Sequence, residues 1–173
     1  MDQKGSSNTS LFLMELIIAI FFFSLCAAVC VRLFFESHKV AEQTVNLNNA
    51  VLWSESLAEA FTGTNGDVNE LGKLYPTAVI SDNSLIIFFD QNWDCLTGDA
   101  ETASYEAILN IKEMSAGDVY SDVTKYNTAL KGNAITCSIN IVDVRNHNTA
   151  LLEVSDDDSN IIHSISVDTY RGK

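Results

Sequence analysis

The side chains able to do chemistry are few and widely spaced. Glu15 is the single charge in an apolar run from Leu11 to Val31. A carboxylate inside such a run costs on the order of 3 kcal/mol on insertion scales. Two readings follow. Glu15 lies near headgroups and is solvated, since only four apolar residues precede it, or it is an intramembrane acid that awaits a cationic partner. The histidines, His38, His147 and His163, are far apart and share no ligand spacing, so each reads as a core or surface side chain and no metal site is expected. Asp156-Asp157-Asp158 lacks the spaced acids, central glycine and distal glutamate of a calcium loop. It reads as a solvated hairpin tip, with calcium as the alternative. There is no Gly-x-Ser-x-Gly elbow and no glycine-rich phosphate loop. The expectation is a chain that is not an enzyme and has no cofactor.

Four cysteines remain. Cys26 and Cys30 stand one helical turn apart inside the apolar run and read as small packing residues, with lipid attachment as the alternative. Cys95 and Cys137 lie in the later part of the chain. In an oxidising compartment they could form a disulfide closing a loop worth about 4 kcal/mol in the chain-entropy model. The alternative is that Cys137, on the apolar side of a strand, is a buried free thiol.

The elements that position these residues begin with the apolar run itself. From Leu11 to Val31 it has the length of a helix crossing a bilayer core, and it holds no Gly or Pro. The ten residues before it, MDQKGSSNTS, are small and polar and read as a disordered leader, with Ser7, Thr9 and Ser10 as candidate caps. A cleaved secretory signal is a rival, cut near Ala27 to Cys30, but the run is long for one and the cut would fall inside it. After Phe35 the sequence turns polar without a breaker until Gly63. Val40, Leu47, Ala50, Val51, Leu57, Ala58 and Phe61 recur at helical spacing, with Glu42, Asn46, Asn49, Ser56 and Glu59 on another face. The membrane helix is therefore expected to continue as an amphipathic helix, ended by Thr62 to Gly66.

The period then changes to two. Leu85 to Phe89 is a continuous apolar run. Tyr105, Ala107, Leu109 and Ile111 alternate with Glu106, Asn110 and Lys112; Ile135, Cys137, Ile139 and Ile141 alternate with Thr136, Ser138 and Asn140. Shorter patterns cover 150–154 and 161–167. Turn residues separate them, and Met114 to Lys131 fits no single element. Strands joined by short turns, with no helical pattern between them, imply an antiparallel meander with one apolar face, covered by the amphipathic helix.

The first forty residues hold three acids (Asp2, Glu15, Glu36) and three bases (Lys4, Arg32, Lys39), so the whole net charge of −13 falls beyond Val40. A head this acidic is not expected to bind nucleic acid or anionic lipid. The basic residues flanking the run are balanced. With ten residues before it and a domain after it, the N-terminus is expected in the cytoplasm and the head outside the cell.

Together, a short polar leader, a small residue, four apolar residues, one Glu and an unbroken apolar helix resemble the N-terminus of type IV pilins and pseudopilins. The resemblance in residues covers Ser10 to Phe35 and implies an α+β, pilin-like fold: a leader at 1–10, a transmembrane helix at 11–35, its amphipathic continuation at 36–62 and an antiparallel head at 63–173. It implies cleavage by a prepilin peptidase between Ser10 and Leu11, N-methylation of Leu11, and pairing of Glu15 with the new amine of a neighbouring subunit. It also implies other pilin or pseudopilin subunits, an assembly platform protein and a motor ATPase as partners. The family usually has Gly before the cut and Phe-Thr-Leu-Ile-Glu after it, where this chain has Ser10 and Leu11-Phe12-Leu13-Met14-Glu15. These departures point to a minor subunit of a pilus, competence or secretion apparatus. The alternative is a signal-anchored single-pass surface domain that binds a ligand without assembling.

Overall fold

The computed structural model describes residues 5–98, 101–121, 130–145 and 160–171. The chain divides into two units, Met1–Val45 and Asn46–Lys173. Helix α1, Gly5–Gly63, contributes to both.

In the first unit every α1 residue from Thr9 to Val45 is exposed. This is the one helix, among the described residues, long and apolar enough to cross a membrane. It begins at Gly5, not after Ser10: the polar residues 5–10 that read as a disordered leader are helical. They include no proline, and adding a turn to an existing helix avoids the cost of nucleating a new one.

The second unit is an α+β fold, with the end of α1 packed on a six-stranded antiparallel sheet. Leu57 and Phe61 are fully buried, each worth about 1.5–3 kcal/mol on the usual area scale. Ala50 and Ser54 are buried beside them, and Trp53, Ala58 and Ala60 pack partly against the same cluster. The expected stripe is thus shorter than the periodicity suggests: Val40 and Leu47 are exposed, while Asn46, expected on the polar face, is buried. The helix ends in a left-handed cap, where the Gly66 amide donates to the Phe61 carbonyl at 2.9 Å. Gly66 has φ 72°, and a Cβ there would lie 2.9 Å from Ile135 Cγ2 and Phe61 Cε2, so this position requires glycine.

A short helix follows, α2 Val68–Leu74, capped by Asp67, whose Oδ1 accepts from the amides of Asn69 (2.9 Å) and Glu70 (3.3 Å). The strands are β1 Val79–Ser81, β2 Ser84–Phe89, β3 Cys95–Leu96, β4 Tyr105–Ser115, β5 Asn133–Asp143 and β6 Ile161–Arg171. Their order is β1-β2-β4-β5-β6, every pairing is antiparallel, and β3 pairs with the end of β2. The meander is as expected; β1 and β3 are additions that the hydrophobic pattern did not mark. A four-residue helix, α3 Ala116–Val119, occupies the start of the link after β4. The 150–154 strand pattern lies outside the described residues.

The sheet buries apolar residues on both faces, which the alternation did not imply. Leu85, Ile87, Phe89, Tyr105, Ala107, Leu109, Cys137 and Ile139 form the main core with α1. On the opposite face Ile86, Phe88, Ile108, Val142 and Val144 form a second cluster. Glu106, expected on a solvated face, is fully buried. Its cross-strand partners are Phe88 and Val142, both members of that cluster. Further along the same face the rows become polar. Ser84, Asn110, Ser138 and Ser166 lie in register across four strands, and Ser84 Oγ donates to Asn110 Oδ1 at 2.7 Å. A bulge between Ile141 and Val142 in the β5–β6 pairing shifts β6 so that Ile161 joins the second cluster and Ile162 the main core.

Candidate functional site

The residues singled out for assembly all lie on the first unit's helix. Ser10 and Leu11 are consecutive helical residues, and Leu11 is 63% exposed. Glu15 is exposed one turn later, among exposed Phe12, Met14, Leu16 and Ile18. Within an α-helix Leu11 and Glu15 are neighbours on one face, since residues four apart stack along the axis. Cys26 and Cys30 are exposed free thiols on the same helix. His38 packs edge-on to Phe34, with ring centroids 4.5 Å apart.

The ion pairs described in the head are local, Lys73 with Glu70 and Arg145 with Asp143, each at 2.6 Å. Among the described residues no group of three or more His, Cys, Asp or Glu could hold a metal ion. His163 is half-buried on β6 opposite Ile141. His147 and Asp156 to Asp158 lie outside the described residues, as does any calcium site they would form. Cys95 and Cys137 are free thiols: Cys95 is exposed on β3 opposite Phe89, and Cys137 is buried on β5 opposite Ile111. Burial in apolar surroundings pushes the Cys137 thiol up to about 12. Partial burial also raises the Cys95 thiol, against a hydrogen bond with Thr77 that lowers it.

The most organised polar feature of the head was not marked by the sequence. Asn46 Oδ1 accepts two hydrogen bonds, from Trp93 Nε1 at 3.3 Å and from Tyr105 Oη at 3.1 Å. Trp93 stacks on Tyr105 with centroids 4.2 Å apart and planes 11° from parallel. The Arg145 guanidinium lies 5.3 Å from the Tyr105 ring centroid and is itself held by Asp143, with Nη2 to Oδ2 at 2.6 Å. Trp93 also meets Phe89 (5.7 Å), which meets Trp53 (4.8 Å). Both donors are nearly buried, so each needs its acceptor; a buried donor left unsatisfied costs about 1–3 kcal/mol. The signal in sequence is weak: an Asn on a helix and two aromatics more than forty residues away.

The first unit presents an apolar surface from Leu11 to Val31 with Glu15 as its one carboxylate, and the head presents a packed sheet with an aromatic and amide node. Comparison with protein-family models, with curated proteins and with solved structures finds no match to this chain. The long N-terminal helix followed by an antiparallel sheet is compatible with a pilin-like architecture.

Proposed function

We propose that the chain is a minor subunit of a type IV pilus, a competence pilus or a secretion pseudopilus, inserted in the membrane through α1 and assembled through Glu15. The observation that carries this reading is the acid itself. Glu15 is exposed on a helix whose neighbouring side chains are apolar and equally exposed. A plain anchor gains nothing from a carboxylate there, and the insertion cost is on the order of 3 kcal/mol. Cleavage after Ser10 by a prepilin peptidase creates a cationic amine at Leu11, which is N-methylated. Pairing of that amine with Glu15 of an adjacent copy gives each charge a partner in a low-dielectric setting and fixes one register between helices. Other pilin-type subunits, a platform protein and a motor ATPase are the partners this reading requires. The head then lies outside the cell.

The test is substitution at the acid. Glu15→Gln keeps size and polarity and removes charge, so the variant should insert in the membrane at the native level yet fail to enter filaments sheared from cells. Normal incorporation would overturn the pairing. The helical setting of Ser10 and Leu11 favours a second reading, because a peptidase must unwind a bond held inside a helix. That reading is a signal-anchored surface domain that keeps residues 1–10 and is indifferent to loss of Glu15.

A further inference from the structure

The head grips α1 unevenly. Between Asn46 and Ser54 the fully buried helix side chains besides Asn46 are Ala50 and Ser54, both small, with Trp53 half-buried. From Leu57 onward the buried side chains are Leu57 and Phe61, both large and fully enclosed. Apolar burial therefore holds the last two turns strongly and the preceding turns weakly. What holds those preceding turns is the polar node at Asn46, together with Ala50 and with the Trp53 ring against Phe89 (4.8 Å) and Tyr75 (6.5 Å). Every α1 residue from Thr9 to Val45 is exposed, so Asn46 is also the first point at which the helix is buried.

The other side of the node is strained. Trp93 sits at φ 67°, a left-handed conformation that a bulky side chain rarely adopts. A tight turn imposes it: the Trp93 amide donates to the Asp90 carbonyl at 3.2 Å, and Asp90 Oδ1 accepts from the amides of Asn92 (2.8 Å) and Asp94 (2.9 Å). This backbone turns the indole onto Tyr105 with its N–H directed at Asn46.

We infer that Asn46, Trp93 and Tyr105 form a latch that fastens residues 46–54 of α1 to the head and lets them open as a unit while Leu57 and Phe61 stay docked. Opening frees both donors to water together, because the two share a single acceptor atom. It also removes the contact that rewards the strained Trp93 turn, so the closed and open arrangements are two states. A load drawn along the helix from its exposed half reaches the latch before it reaches Leu57. This device stands whether or not the chain assembles into filaments.

Hydrogen exchange of the full-length chain in detergent micelles, read by mass spectrometry, tests it. In the native chain the amides of residues 50–54 should exchange at least about ten-fold faster than those of 59–62. Asn46→Leu, which removes the acceptor at similar volume, should speed exchange at 50–54 by about a further ten-fold and leave 59–62 unchanged. Trp93→Phe, which keeps a ring and removes the N–H, should produce the same pattern with a smaller change. Equal rates across 50–62 in the native chain would overturn the inference, as would an Asn46→Leu profile that speeds all of 50–62 equally or none of it.

Discussion

The two halves of α1 obey opposite rules within one unbroken element. From Thr9 to Val45 its large apolar side chains are all exposed, and its one acid there, before Glu36, is Glu15. From Asn46 to Gly63 its apolar side chains are divided: Leu57 and Phe61 are enclosed by strands, while Leu47 and Leu52 face outward. Hydrophobicity alone does not tell these regimes apart. In the first half the run from Leu11 to Val31 is apolar all round but for Glu15, a surface suited to an apolar solvent; in the second a single stripe needs a sheet. The exposed aromatics of the first half are consistent with lipid or other helices as their environment, whereas Phe61 is part of the head's own core.

Substitutions across this boundary sharpen the contrast. Phe61→Ala should destabilise the head by about 3–5 kcal/mol, since it empties a fully buried site beside Gly66 and Ile135. Phe22→Ala, in the exposed half, should leave the head's unfolding midpoint in urea unchanged. If both variants shift the midpoint alike, the division at Asn46 is wrong. Leu57→Ala follows with about 2–5 kcal/mol by the same measurement. A pH series adds a second test within the core. The Cys137 thiol is pushed up to about 12 from 9.0, so the folded state favours the protonated form. That contribution is complete below pH 9 and is lost as pH rises toward 12. Cys137→Ala should therefore flatten the alkaline fall in stability relative to the native chain; parallel pH curves would contradict the burial. Smallest is Asp67→Ala, which removes the cap of α2 and should cost about 1 kcal/mol in the same unfolding experiment.

Much of this architecture was readable from periodicity. An apolar run followed by spaced Ala50, Leu57 and Phe61 announces a helix that changes surroundings, and the alternation around Tyr105 to Ile111 and Ile135 to Ile141 places β4 and β5 correctly. Three features escaped it, each for a physical reason. Val40 and Leu47 fit the helical stripe but find no strand opposite, because a periodic pattern records a face and not the extent of its partner. Glu106 alternates with apolar neighbours as a solvated residue would, yet the sheet is buried on both faces where Ile86, Phe88, Ile108 and Val142 cluster. The hairpin of β1 and β2 turns on Asp82 at φ 46°, a local conformation that Asp tolerates and hydrophobic patterning ignores. Asn46 joins this group, since a lone amide on a helix gives no sign of the two donors that meet it.

For assembly, the legible part was Glu15 in its apolar frame, with Ser10 and Leu11 placed ahead of it by resemblance. The structure adds that all three are on one helix, with Leu11 one turn before the acid. The most direct test of the central claim is the mass and N-terminal residue of the chain extracted from native membranes. The expected result is a chain beginning at N-methylated Leu11. A chain that retains Met1 to Ser10 and still enters filaments would contradict it.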